Sequence, residues 1–527
     1  MAKVVVVGAG IGGLVSALVL AHHGFEVTLI ESAQEPGGKI RQVSVDGVGV
    51  DSGPTVFTMR WVFEQMLAEL GTSLSDILTL EPLSILARHA WDQSKQRLDL
   101  FADTAQTADA IGQFSSPQEA RRFLVFCQEA KRLYETLERP YIRSERPTLT
   151  SMVNDLGWQG LLNLSRLGPF TSLWQSLGRH FHDPRLQQLF GRYATYCGSS
   201  PWSAPATLML VAQVELEGVW SVHGGMKEIA NALARLGVQR GVQARYGQRC
   251  KKILTQSGRV TGVQLHTGEV IEAPYVVFNG DVNALADSLN QSQSQSQTHH
   301  QNQNLERQKR SLSAFTWSLH AKANGFPLVR HNVFFNQDYR REFDDIFQRH
   351  QLPSQGTVYV CAQDRTDHGL AHDPDDQQDP ENQQAIRERL LCLVNAPADG
   401  DVHSFSSSEI QACESSSLAL MRRCGLEIQF EAHQVVRTLP QDFASLFPAS
   451  GGALYGQATH GWMSAFARPS ARSPVTGLYT AGGSVHPGPG VPMAAMSGRL
   501  AAATLMADLD LTKRLHRVVI SGGTSTR

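Results

Sequence analysis

The sequence predicts an α/β protein: a buried parallel sheet with helices on its faces, joined to a second domain of mixed sheet and helix. Three observations predict it. Lys3 to Val7 reads KVVVV, an unbroken apolar run of the kind found in strands buried on both faces of a parallel sheet. The run leads into Gly8-Ala9-Gly10-Ile11-Gly12-Gly13, a helical pattern as far as His23, and a second strand, Glu26 to Ile30, ending on Glu31. Near the other end, Gly477 to Gly483 is again a short strand running into glycines, followed by a proline-rich turn and a helix from about Met493 to Asp508.

Each part of the first stretch has a physical role. Gly8 makes the tight turn, Gly10 lets a pyrophosphate approach the backbone, and Gly13 lets the helix sit close on the strand, with Gly12 in the same bend. The helix start offers free N–H groups and a positive dipole end to phosphate. Glu31 stands eighteen residues after Gly13, near the spacing of an acid that accepts from ribose hydroxyls. A carboxylate there repels a ribose phosphate, which disfavours NADP. Val4 to Ala21 is apolar enough to suggest a signal peptide or membrane span, but four glycines, no cleavage-type end and an immediate strand pattern argue against both. This is the pattern of a Rossmann-like dinucleotide domain.

The segments after Glu31 decide between dinucleotides. Gly37 and Gly38 precede two cations, Lys39 and Arg41, and Gly53-Pro54-Thr55 follows. A plain NAD domain needs no second glycine pair with basic residues; a longer ligand with a second phosphate contact does, which favours FAD. The arrangement resembles the FAD-binding half of the flavin amine oxidase and phytoene desaturase superfamily.

At 527 residues the chain is long enough for two or three domains with full cores. Charged residues are 18% and the net charge is −2, so no nucleic-acid partner is implied. The 19 histidines are scattered without companion ligands at metal spacing, so no metal site is expected. Seven cysteines with no CxxC read as reduced thiols of a cytoplasmic protein. No run has the length and apolarity of a transmembrane helix.

Further along, Val62 to Leu70 is helical, Leu83 to His89 and Arg97 to Phe101 are strands, and 104–140 and 150–200 are helical blocks. The second block carries many large side chains, among them Phe170, Trp174, Phe181 and Tyr193, which read as core with part lining an apolar cleft. Gly224-Gly225 opens a helix from Lys227 to Leu236. Strands follow near Val242–Tyr246, Lys251–Leu254, Val260–Leu265 and Val270–Glu272, and Val276 to Phe278 reads as a strand returning to the first sheet. Asn290 to Asn304 is almost devoid of apolar residues and reads as a disordered insertion; Asp364 to Gln384 reads as another polar loop. Strands are expected at Phe315–Ala321, Val333–Phe335, Val358–Cys361 and Leu390–Val394, and a helix over 408–424. The divided first domain is expected at 1–85, 215–290 and 450–510, the second at 86–214 and 311–449, with 511–527 as a tail.

The closing motif, Gly482-Gly483 through Gly490-Val491-Pro492, sets a proline in the first helical turn, where its missing N–H costs nothing. That helix start points free N–H groups at a partner, which in a flavoprotein is the N1–C2 edge of the isoalloxazine. Together GAGIGGL (8–14), EPGGKI (35–40), DSGPTVFT (51–58), GVWSVHGGMKEIANAL (218–233) and AGGSVHPGPGVPMAAMSG (481–498) resemble bacterial carotenoid desaturases of the phytoene desaturase type. Within that family, TMRWVF (58–63), LARH (86–89), GRYATYC (191–197) and LVNAP (393–397) resemble the hydroxyneurosporene desaturase (1-hydroxycarotenoid 3,4-desaturase) branch.

The resemblance implies FAD as cofactor, with the backbone of Cys250 meeting its adenine end. It implies desaturation of an acyclic 1-hydroxycarotenoid at C3–C4. One hydrogen leaves as hydride and one as a proton, and the allylic cation is delocalised over the polyene. No catalytic acid or base is singled out. The implied partners are a membrane-dissolved carotenoid, the membrane surface, and oxygen or a quinone as electron acceptor. The implied location is peripheral, on the cytoplasmic face of the inner membrane, with helices in 104–200 forming the docking face. Phytoene desaturase, carotenoid isomerase, flavin amine oxidase and a non-catalytic prenyl-lipid escort protein are the alternative readings.

Overall fold

The computed structural model describes residues 2–92, 94–146, 171–289, 309–366, 369–370, 386–461 and 463–521. Five strands form an all-parallel sheet in the order Leu478–Thr480, Tyr275–Phe278, Lys3–Val7, Glu26–Ile30, Gln243–Arg245. The valine run sits at its centre and is buried on both faces. Val4 and Val6 pack into one core cluster, Val5 and Val7 into another. Helices Ile11–His22, Lys227–Gln239 and Val491–Ser521 fill the first side. The helix Ile11–His22 is buried from Ile11 to Leu20, sandwiched between sheet and C-terminal helix, which is why its sequence shows no polar face. On the other side lies a three-stranded antiparallel sheet, Cys250–Gln256, Arg259–Leu265 and Val270–Glu272.

The second domain is built on an eight-stranded mixed sheet. Its order is Glu427–Gln429, Ser313–Asn324, Glu388–Ala396, Val358–Ala362, His331–Phe335, Ile85–Trp91 and Ser94–Phe101, with Val435–Thr438 also on Ser313–Asn324. All its pairings are antiparallel except His331–Phe335 with Ile85–Trp91. The helices Thr104–Phe114, Pro117–Leu137, Leu173–His180 and Pro184–Gly191 contribute to the core on one face, and Ser407–Arg423 to the core on the other.

Two expectations change, and one expected strand finds its sheet. The helical block 104–140 is two α-helices, because Ser116 caps a new one by accepting from the Glu119 N–H at 3.2 Å and Pro117 takes its first turn. The helix expected to stop near Asp508 continues to Ser521, so most of the expected tail is helical. The strand Gln243–Arg245 joins the parallel sheet beside Glu26–Ile30. The expected insertion at 290–304 lies outside the described residues, as do 150–170 of the second helical block and most of 364–384.

The two domains meet along the segment after Lys39. The Asp51 N–H donates to Gln363 Oε1 (3.0 Å), Gln363 Nε2 donates to the Asp51 carbonyl (2.9 Å), and the Ser52 and Ser318 hydroxyls are 2.5 Å apart. Gly53-Pro54-Thr55 is thereby fixed between the two sheets.

Candidate active site

The two glycine-rich corners, far apart in sequence, touch. A Cβ added to Gly12 would lie 2.8 Å from the Gly482 amide nitrogen and 2.9 Å from Asn279 Nδ2. Asn279, directly after the strand Tyr275–Phe278, clasps both corners. Its N–H donates to the Val7 carbonyl (2.8 Å) and its Nδ2 to the Ala481 carbonyl (3.0 Å). Its Oδ1 is buried and has no hydrogen-bond partner among the described residues. Sequence reasoning missed it, since one asparagine after a strand carries no pattern.

From these corners a cavity of about 1030 Å³ extends into the second domain. Gly8, Gly10 and Gly12 line it, as do Glu31, Gly37, Gly38 and Lys39, then Gly53, Pro54, Thr55 and Cys250, and from the C-terminal corner Gly482, Gly483, Gly490, Val491 and Pro492. Two expected site residues are not on its wall. Gly13 packs the helix against the Gly8 carbonyl, the helix–strand contact expected of it. Arg41 points elsewhere: it donates to Thr438 Oγ1 (2.9 Å) and lies over the Phe443 ring, so it braces the domain junction. Lys39 Nζ donates to the Leu454 (2.7 Å) and Ala453 (3.3 Å) carbonyls, and burial lowers its pKa. Glu31 accepts from the Ala9 N–H (2.6 Å) and the Ala33 N–H (2.8 Å), so the acid also holds the glycine turn in shape.

Similarity to known proteins agrees with this geometry. Residues 11–506 match the family of flavin containing amine oxidoreductases. The chain belongs to that family. It is an FAD-dependent oxidoreductase with the fold of its flavoprotein relatives. It is 62% identical to a hydroxyneurosporene desaturase of Rubrivivax gelatinosus over 100% of this chain and 97% of that one. It is 42% identical to a hydroxyneurosporene desaturase of Cereibacter sphaeroides, over 97% and 99%. Among solved structures, an oxidoreductase from Methanosarcina mazei superposes with a TM-score of 0.57 at 17% identity, covering 94% of this chain and 99% of the other, which supports the fold.

The family's cofactor fits the residues present. The glycine turn leaves room that side chains would fill, and Gly10 caps the helix Ile11–His22 without a side-chain hydrogen bond, so its first amides stay available for phosphate. The buried Asn279 Oδ1 lacks a partner within the same cradle. Arg468, also missed from sequence, lines the cavity and stiffens the C-terminal corner by donating to the carbonyls of Gln457 (2.7 Å), Tyr455 (3.2 Å) and Gly483 (3.4 Å). Burial lowers its pKa.

The remaining wall comes mainly from the second domain and is largely apolar, including Leu137, Ile142, Leu208, Val211, Leu391 and Leu393. Within it sits a chain of polar groups. Arg192 donates to the Tyr196 hydroxyl (3.3 Å), which donates to Glu215 Oε1 (2.8 Å), while Tyr193 donates to Glu215 Oε2 (2.7 Å). Burial raises the Glu215 pKa, against its tyrosine hydrogen bonds and the Arg192 charge. Tyr359 places its hydroxyl 2.6 Å from Thr55 Oγ1 and 2.7 Å from His331 Nδ1, and burial pushes His331 down to about 3, so that ring is neutral. Among the described residues no cluster of His, Cys, Asp and Glu could hold a metal ion.

Proposed function

We propose that this oxidoreductase desaturates an acyclic 1-hydroxycarotenoid across C3–C4. The observation that carries the reading is a single cavity, lined at one end by the dinucleotide glycines and elsewhere by apolar side chains, in a chain that matches hydroxyneurosporene desaturases along its whole length. Bound FAD supplies the two-electron acceptor for the hydrogen pair removed. The turn Gly8–Gly12 and the amides after Gly10 would hold the pyrophosphate, Glu31 the ribose, and the Cys250 backbone the adenine end; Gly53–Thr55, Gly482–Gly483 and Gly490–Pro492 line the same cavity and would hold the ring.

The protein's contribution is orientation and exclusion of water. Of the three carboxylates on the wall, Glu31 accepts from the Ala9 and Ala33 N–H groups, both Glu215 oxygens accept from tyrosines, and Asp281 Oδ1 accepts from the Asn283 N–H; none is assigned as a strong base. A polyene spreads the developing positive charge over its double bonds, so none is required. Oxygen or a quinone serves as electron acceptor.

The substrate dissolves in lipid, and the protein meets it at the membrane surface, on the cytoplasmic face of the inner membrane. No helix among the described residues is long and apolar enough to cross a bilayer. The helix Pro117–Leu137 exposes Leu124 (41%) and Val125 (57%) side by side, a small apolar contact for the headgroup boundary. The double variant Leu124→Asp/Val125→Asp is expected to lose flotation with liposomes while keeping its flavin absorbance; unchanged flotation contradicts this docking face.

Expression in cells accumulating hydroxyneurosporene, and separately phytoene, tests the function. The expected result is a pigment two hydrogens lighter and red-shifted from hydroxyneurosporene. Product from phytoene alone moves the assignment to the sister branch. A product of unchanged mass indicates an isomerase, and a colourless purified protein an escort.

A further inference from the structure

Three side chains form a line of hydrogen bonds that joins the two domains and ends at the cavity. Thr55 Oγ1 lies 2.6 Å from the Tyr359 hydroxyl, and that hydroxyl lies 2.7 Å from His331 Nδ1. Strand register brings the last two together. His331 pairs with Cys361 and Val333 with Tyr359, so His331 and Tyr359 are diagonal neighbours on one face of the sheet. Their rings stack with centroids 6.1 Å apart. Thr55 and Tyr359 line the cavity; His331 lies behind them, 3% exposed.

Two hydroxyls and a neutral ring can share protons in either direction, and His331 decides between them. Burial pushes its pKa down to about 3, so the ring carries one N–H. Its Nε2 is buried without a hydrogen-bond partner among the described residues. Orphaned buried N–H groups are rarer in proteins than under-satisfied acceptors. The proton therefore sits on Nδ1, which donates to the Tyr359 oxygen. Tyr359 in turn donates to Thr55 Oγ1; the Cys361 thiol beside it, kept protonated by burial, is only a weak acceptor. The Arg192 guanidinium lies over the Tyr359 ring, 5.1 Å from its centroid, and draws electron density from the phenol, which makes it the better donor. Thr55 Oγ1 has no other hydrogen-bond partner among the described residues, so its own proton is left over at the cavity wall. The line cannot carry protons away, because it ends at a ring nitrogen that meets neither solvent nor a partner. It only holds them in place.

We infer that Thr55 is a hydrogen-bond donor to the ring of the bound flavin, with Tyr359 and His331 as positioning residues that fix its direction. A flavin ring offers carbonyl oxygens and nitrogens as acceptors, whereas the reacting double bonds of a polyene offer none. The segment that carries Thr55 is anchored at the domain junction by the paired Asp51–Gln363 hydrogen bonds and the Ser52–Ser318 contact, so the donor is held in place beforehand. A fixed donor favours the reduced ring, which is the richer in electrons. This role for Thr55 rests on the ring placement proposed above, against Gly53–Thr55, and adds to it the direction of the bond and the residues that set it.

FAD-loaded protein tests this with two readouts. The first is the flavin midpoint potential by redox titration. Loss of one donor should shift the reduction equilibrium about three- to tenfold, which lowers the two-electron midpoint by about 15–30 mV. Thr55→Val should show that shift and Thr55→Ser should keep the wild-type value. Tyr359→Phe keeps the ring under Arg192 but breaks the line, and should move the potential the same way by less. A purely structural role predicts lower flavin content at an unchanged potential. Should Thr55→Val bind no flavin, Tyr359→Phe decides. The second readout is the nitrogen-15 resonances of His331, identified in histidine-labelled protein by their loss in His331→Asn; Nδ1 should carry the proton. A proton on Nε2 overturns the direction of the line and leaves the ring placement standing. A proton on Nδ1 with an unchanged or raised potential in Thr55→Val and Tyr359→Phe overturns the donor role together with the ring placement beneath it.

Discussion

Asn279 shows how one side chain joins segments that sequence distance conceals. Its Nδ2 hydrogen bond to Ala481 and its backbone bond to Val7 tie the two glycine corners to each other. Asn279→Ala removes the first of these and leaves the Ala481 carbonyl short of a donor. The expected cost is about 1–2 kcal/mol of stability, with a lower flavin-to-protein absorbance ratio after gel filtration. Glycines at the cofactor cradle were legible because strand, turn, helix and acid each leave a mark at fixed spacing. Asn279, Arg468 and Arg192 left none: each acts through contacts made by distant segments. Arg41 misled for a related reason. A cation near a glycine pair suggests phosphate, but here the chain turns its guanidinium onto Thr438 and Phe443.

At the scale of elements, close approach of helix and turn sets the tolerance to substitution. Gly12→Ala would press a methyl group against the Gly482 backbone and the Asn279 amide, neither of which can give way. An overpacking cost of about 1–3 kcal/mol and loss of most bound flavin are expected. Gly178→Ala is the control: Gly178 is on the exposed face of the helix Leu173–His180 and a Cβ there meets nothing within 4 Å, so it should stabilise by about 0.4–1 kcal/mol. Thermal melts and flavin absorbance on both variants check this. Apolar strands such as Val358–Cys361, buried throughout, and Leu390–Val394, buried except at Leu393, were readable because their residues are apolar on both faces. Their order in the large sheet was not, since register and neighbours depend on long-range packing that periodicity does not encode. The helix break at Ser116-Pro117 carried a cap signal that a block-wide composition averaged away.

For the whole molecule, burial of neutral histidines links stability to pH. Burial pushes His89 and His331 down to about 3, and His460 and His486 down to about 4, against an ordinary value of 6.5. The unfolded chain binds protons at these rings below that value and the native state does not. Their contribution is therefore fully present above pH 6.5 and is lost as pH falls towards the native values. Glu215, Glu217 and Glu342 oppose this, since burial raises all three and the native state takes up their protons more readily. With His22 also lowered, five rings against three carboxyls leave the net sign with the histidines. The melting temperature should fall between pH 7 and pH 5, and His331→Asn should make the fall shallower; a flat profile contradicts the assignment.

One cavity would bring a hydroxylated polyene together with bound FAD, the acceptor for the two hydrogens removed. The direct test is a single turnover under argon with FAD-loaded protein and 1-hydroxyneurosporene, following the oxidised-flavin band and the carotenoid mass together. The band should bleach as a carotenoid two hydrogens lighter appears, about one per flavin. A lighter carotenoid formed without bleaching, or a bleached flavin with the carotenoid mass unchanged, would contradict it.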